Sequence, residues 1–154
     1  MLIERRIDKV FIARLVLALA IAGVLASVVI KPLVRRPRPD ITLGEQVILV
    51  DEKPAGIPAH NDFSFPSGHA AIAFAGAYIV TREETSTYKG HKHSLKQKKL
   101  LRMIFISVAF LTAISRIYLG KHYPLDVLAG GALGWGVGKL AWWIVDLMRP
   151  PSVS

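Results

Sequence analysis

An apolar run over residues 10–30, broken only by Arg14, limits what this chain can fold into more than any other feature. About 20 apolar residues cross a bilayer as one helix, whereas a secretory signal has a shorter apolar core and a small-residue cleavage site. A retained membrane helix is therefore expected at 10–30. Further apolar stretches predict helices at 67–81, 100–118 and 125–148. Of the 154 residues, 52% are hydrophobic and the mean hydropathy is +0.40, more apolar than soluble domains of this size. The expectation is an all-α fold, a polytopic membrane helix bundle of about four spanning helices, forming a single domain over residues 1–154.

The helix at 67–81 is short. Its unbroken apolar part, 70–80, is about half the length a span needs. Either it is a buried helix of the soluble type, or its polar start lies below the membrane surface, shielded by protein. Small residues crowd it: Ala70, Ala71, Ala73, Ala75, Gly76 and Ala77. The last helix carries Gly130, Gly131, Gly134 and Gly138. Gly130, Gly134 and Gly138 have the spacing that lets helix backbones approach in lipid, so packing is their expected role. Residues 39–65, rich in Pro, Gly and Asp, read as a loop, with an apolar stretch at 47–50 that suits a strand or a membrane-surface contact.

A formal charge of +9 is compatible with nucleic acid, an anionic membrane surface or an anionic substrate. Arg5, Arg6, Lys9, Arg14, the Lys/Arg-rich segment 82–102 and Arg149 fall on one side of the expected bundle. They outnumber Lys31, Arg35, Arg36, Arg38, Lys53, Arg116 and Lys121 on the other. The positive-inside rule then places both termini and the 82–102 loop in the cytoplasm. A basic loop between spans suits anionic membrane lipids, and no nucleic-acid partner is expected. His91 and His93 in that loop read as solvated residues rather than a metal pair. The chain has no cysteine, which excludes disulfides and thiolate metal sites.

Alternating crossings impose a geometric condition. The end of the first helix, the start of the second, the end of the third and the start of the fourth must share one face. The chemically active residues fall at those places: Lys31, Arg35, Arg36 and Arg38; Ser67, Gly68 and His69; Ser115 and Arg116; His122 and Asp126. The face is expected to be extracytoplasmic. Guanidinium groups match phosphate oxygens bidentately. Pro66-Ser67-Gly68-His69 heads a helix, where free N–H groups and the positive dipole end attract anions. The four-residue spacing of His122 and Asp126 can set a carboxylate against the imidazole. A carboxylate there would fix the tautomer and free the other nitrogen as nucleophile or base. His69 suits protonation of a leaving oxygen. Two histidines and one carboxylate could bind zinc, but the surrounding cations favour an anion, so no metal and no cofactor are expected.

These residues resemble the type-2 phosphatidic acid phosphatase superfamily of membrane lipid phosphatases. That family's motifs are Lys, six residues, Arg-Pro; Pro-Ser-Gly-His; and Ser-Arg, five residues, His, three residues, Asp. Here they read Lys31 to Arg38-Pro39, Pro66 to His69, and Ser115-Arg116 to His122 and Asp126. The resemblance spans residues 30–135. It implies that Lys31, Arg38, Ser67, Gly68 and Arg116 hold the substrate phosphate. It also implies that His122 attacks phosphorus and forms a phosphohistidine, that Asp126 orients His122, and that His69 protonates the leaving group and then activates water. Arg35 and Arg36 match no required position and are expected at a second phosphate, an anionic headgroup or the interface. Membrane members of the family usually have six spanning helices, so two leading helices are expected to be missing, and a homo-oligomer or a partner chain is one way to restore them.

The expected function is hydrolysis of a lipid phosphomonoester or diphosphate by an integral protein of the cell membrane. Isoprenoid diphosphates such as undecaprenyl pyrophosphate, phosphatidic acid and phosphatidylglycerophosphate all fit. A lipid phosphotransferase would use the same site. A non-catalytic lipid-binding or channel subunit would explain the helices and the basic loop, but not the two histidines and the carboxylate.

Overall fold

The computed structural model describes residues 9–42, 63–83 and 95–148. The apolar stretch at 47–50 and the pair His91 and His93 lie outside them. The described residues form four long helices and one isolated turn, with no strand among them. The first helix, α1, is one rod, Lys9–Val34. Its expected α-helical course is interrupted: it is α-helical over Lys9–Val24, π-helical over Leu25–Ile30 and α-helical again over Lys31–Val34. A π segment is a wider turn, often found at functional sites. Here it lies directly before Lys31, and its Ser27 packs against Gly68, where a Cβ would meet Ser27 Oγ at 3.2 Å.

The rod ends where Arg36-Pro37-Arg38-Pro39 begins, because residues before proline leave the helical region and proline lacks an N–H. Arg35 closes it in the left-handed conformation, φ 53°, its N–H donating to the Lys31 carbonyl at 2.9 Å. A single turn, Pro39–Thr42, follows. The remaining helices are α2 (Gly68–Glu83), α3 (Leu95–Tyr118) and α4 (Pro124–Leu147). Pro124 opens α4 after Tyr123, whose N–H is capped by Asp126.

By length and apolarity alone, α1 and α3 can cross a membrane. At 16 residues, α2 is shorter than a span, and α4 is diluted by its glycines and Lys139. The short α2 is central, packed against α1, α3 and α4, so its neighbours enclose it. Its closest partner is α4. A Cβ at Gly130 would collide with the Ser67 carbonyl, one at Gly134 with the Ala71 carbonyl, and one at Gly138 would lie 3.1 Å from the Ala75 carbonyl. Two four-residue stripes therefore interlock, which brings the head of α2 against the head of α4. The core is correspondingly built of small residues. Ala18, Ala22, Ala71, Ala75 and Ala141 join Ile79 and Val137 between α1, α2 and α4. A smaller cluster, Ala70, Ala113 and Val127, joins α2, α3 and α4. Close packing of small residues replaces the hydrophobic driving force that lipid does not provide. Met103, Val108, Leu111 and Ile114 of α3 remain exposed, as a lipid-facing helix requires.

At the end of the bundle away from Lys31, Arg14 is only 2% exposed. It pairs with Glu83 of α2 at 2.8 Å and with Asp146 of α4, and its guanidinium lies 3.5 Å from the Trp142 ring centroid. The one break in the first apolar run is thus a clasp that ties three helices together.

Candidate active site

His122 sits in the turn between α3 and α4. Gly120, at φ 64°, takes the left-handed conformation that lets the chain reverse there, and the turn is held by Gly120 N–H to the Ile117 carbonyl at 2.9 Å. The His122 side chain is buried, and its Nδ1 lies 2.7 Å from the Ser64 carbonyl oxygen. A carbonyl only accepts, so Nδ1 carries the proton and Nε2 keeps the lone pair. Ser64 is itself fixed: its N–H donates to the Arg36 carbonyl at 2.8 Å and its hydroxyl to the Pro37 carbonyl at 3.0 Å.

Asp126, expected against His122, has its nearer oxygen 3.8 Å from Nδ1, outside hydrogen-bond range. The carboxylate is completely buried and its oxygens are engaged elsewhere. Oδ1 accepts from Arg36 at 2.7 Å, and Oδ2 accepts from the Tyr123 N–H at 2.9 Å. The Arg36 guanidinium also stacks 4.0 Å from the Tyr123 ring centroid. Arg36, expected at a second phosphate, an anionic headgroup or the interface, is instead paired with Asp126. Arg35 is exposed, its Nε donating to the Pro32 carbonyl at 2.9 Å.

The head of α2 completes the arrangement. Ser67 is fully buried. Its N–H donates to the Asp126 carbonyl at 2.9 Å and its hydroxyl accepts from the Ala70 N–H at 3.4 Å. Gly68 and the exposed His69 form the first turn of α2. The charges of Arg116, Lys31 and Arg38 act on His69, and those of Arg38 and Lys31 act on His122. Arg38 also donates to the Lys121 carbonyl at 3.2 Å, and Arg116 Nε to the Ser115 hydroxyl at 3.3 Å. The four helix ends named from the sequence thus meet at one place, with three cations around two imidazoles. The Lys121 ammonium is buried without a hydrogen-bond partner.

Burial, then the Arg38 and Lys31 charges, push the His122 pKa down to about 4, against the opposing pull of the Ser64 carbonyl and Asp126. At neutral pH the imidazole is uncharged, with a free Nε2 in a cationic setting. Such a group can attack an anionic electrophile. Among the described residues, no group of three or more His, Cys, Asp or Glu side chains is placed to share a metal ion. Sequence reasoning did not reach Ser64, because its working atom is a main-chain oxygen. Arg36 was visible only as an extra cation.

The chain is similar to several known proteins. The undecaprenyl-diphosphatase of Sulfolobus acidocaldarius is 34% identical over 92% of this chain and 58% of its own length. The crystal structure of Aquifex aeolicus LpxE matches with a TM-score of 0.64 at 32% identity, covering 88% of this chain and 68% of that one. A transmembrane PAP2-type phosphatidylglycerolphosphate phosphatase from Bacillus subtilis matches with a TM-score of 0.65 at 28% identity, covering 92% and 66%. The chain thus spans little more than half the length of its diphosphatase relative. With two helices able to span and a transmembrane neighbour of the same fold, it is an integral membrane helix bundle. The sequence profile of the PAP2 superfamily matches residues 11–149, which include all three motif segments gathered at His122, and the chain belongs to that superfamily.

Proposed function

We propose that this protein is a membrane lipid phosphatase that hydrolyses a phosphomonoester or diphosphate of a lipid through a phosphohistidine at His122. The observation that carries the reading is the Ser64 carbonyl on Nδ1, which leaves Nε2 as the nucleophilic nitrogen among Lys31, Arg38 and Arg116. In this reading those cations, the Ser67 hydroxyl and the N–H groups at the head of α2 hold the phosphate oxygens and stabilise charge spread over them in the transition state. Nε2 attacks phosphorus, the bond to the leaving oxygen breaks, and His69 gives that oxygen a proton. Water then attacks the phosphohistidine, His69 takes its proton, and inorganic phosphate leaves with His122 restored. Asp126, held by Arg36 and Tyr123, places negative charge near Nδ1 as the imidazole becomes cationic. No step calls on a metal ion. The names of the relatives support isoprenoid diphosphates and phosphatidylglycerophosphate as substrate types, and the distribution of Lys and Arg supports an extracytoplasmic site in the cell membrane.

The test is phosphate release from a panel of lipid phosphates by the purified protein in detergent with EDTA present. Release that survives EDTA and is abolished by His122→Ala is the expected result. Equal release by the variant would overturn the mechanism, and no release from any lipid would favour a binding subunit.

A further inference from the structure

Arg38 has to be held still to bind phosphate, yet residues 35–38 have no regular structure between the end of α1 and the single turn Pro39–Thr42. No helical ladder fixes this stretch, so its place comes from tertiary partners. One is Ser64, whose N–H and hydroxyl donate to the Arg36 and Pro37 carbonyls at 2.8 Å and 3.0 Å. The other is Tyr123, the residue after His122, which grips the stretch twice. Its ring centroid lies 4.0 Å from the Arg36 guanidinium, a cation–π contact. Its hydroxyl lies 2.5 Å from Thr42 Oγ1. Thr42 closes in turn on Arg38: its N–H and its Oγ1 each lie 3.2 Å from the Arg38 carbonyl. The Pro39 carbonyl is 3.4 Å from the same Oγ1. A threonine hydroxyl has one proton, and a carbonyl only accepts. The Thr42 proton therefore goes to the main chain of the arginine turn, and Tyr123 is the donor to Thr42.

Arg36 and Thr42 flank Arg38 in sequence, so the two contacts of Tyr123 bracket it. Tyr123 is itself anchored as the cap of α4, its N–H donating to Asp126 at 2.9 Å. The Arg38 side chain returns to the same turn, donating to the Lys121 carbonyl at 3.2 Å. We propose that Tyr123 is a positioning residue that sets Arg38 against the His122 turn, so that the phosphate-binding guanidinium and the nucleophile keep one geometry. The proposal rests on the phosphatase reading and adds to it the device that aligns its parts. Tyr123 acts through Arg38, and its hydroxyl and ring are separable: Tyr123→Phe keeps the stack on Arg36 and removes only the donor to Thr42. A cation aimed at charge developing on phosphate oxygens works by its placement, so a small displacement is costly in rate.

The experiment measures kcat/KM per folded molecule on whichever of dioleoyl phosphatidate and farnesyl diphosphate the wild-type protein hydrolyses faster. Tyr123→Phe and Thr42→Val are each expected to lower it about threefold to tenfold. Combined, they should cost no more than either alone, because both break one chain of donors. Thr42→Ser, which keeps the hydroxyl, should recover the rate that Thr42→Val loses. In an Arg38→Ala background Tyr123→Phe should cost nothing further, since the group it places is gone. A wild-type rate in Tyr123→Phe would overturn the proposal. So would losses that multiply in the Tyr123→Phe/Thr42→Val pair, or an undiminished Tyr123→Phe loss without the Arg38 side chain. Failure of the phosphatase reading is a separate result: no hydrolysis of either lipid by the wild type, or hydrolysis that survives His122→Ala.

Discussion

At the residue scale, His122 takes its orientation from a main-chain carbonyl, while the carboxylate four residues on is held by Arg36 and the Tyr123 N–H. The sequence makes the His122–Asp126 proximity legible but not its form, because the capping of α4 competes for the same carboxylate and a main-chain acceptor leaves no mark in a residue pattern. Arg36 is predicted to stabilise the site through Asp126. Arg36→Ala leaves a buried carboxylate short of a partner, at a cost of about 1–3 kcal/mol, moderated because Arg36 is a third exposed. In an Asp126→Asn background the same substitution is expected to cost much less, so a double-mutant cycle on thermal unfolding checks the pairing. His122 yields a pH prediction. Its folded pKa, pushed down to about 4, lies below the unfolded value of about 6.5. The unfolded chain therefore binds the extra proton first, and stability falls as pH drops from about 6.5 through 4. Histidine titration by NMR on the substrate-free protein should show His122 protonating well below 6.5, and a midpoint at or above 6.5 would contradict the account.

At the element scale, the stripe Gly130, Gly134, Gly138 against Ser67, Ala71, Ala75 sets the separation of α2 and α4, and with it the Ser67 N–H bond to the Asp126 carbonyl. Gly134→Val would drive a side chain into the Ala71 backbone and is expected to destabilise by about 1–3 kcal/mol, with loss of activity. Gly136→Ala, two residues on and so on the opposite face of the helix, with open space around its Cβ, should be neutral or slightly stabilising, since alanine favours the helix over glycine by about 1 kcal/mol. Thermal unfolding in detergent separates the two. The spacing of these glycines was legible because small-residue periodicity records close approach directly. The π segment before Lys31 was not, since nothing in the stretch Leu25–Ile30 distinguishes a π turn from an α-helical one. Nor were the partners of Arg14, which lie 69 and 132 residues away in sequence. Arg14→Ala is predicted to lower stability by about 3 kcal/mol, the low end for breaking a buried ion pair because Glu83 and Asp146 keep part of their exposure, while activity per folded molecule persists, because the clasp is at the opposite end from His122.

At the scale of the whole molecule, four helix ends brought to one face follow from alternating crossings, and this was the part of the architecture most legible in the sequence. An apolar cavity bounded by α2, α3 and α4 was not, because it depends on how far the helices stand apart rather than on which residues they carry. Sidedness is checkable without background labelling, since the chain has no cysteine. Thr42→Cys, near the site, is expected to react with an impermeant maleimide on intact cells, and Lys99→Cys only after permeabilisation. The opposite pattern would put the site in the cytoplasm. The central claim is that His122 carries the phosphate between the two halves of the reaction. Rapid quenching of the enzyme with ³²P-labelled lipid phosphate, followed by peptide mapping, tests it most directly. The account predicts an acid-labile, alkali-stable phosphate on the peptide containing His122, absent from His122→Ala. Steady turnover with no labelled His122, or label on another residue, would contradict it.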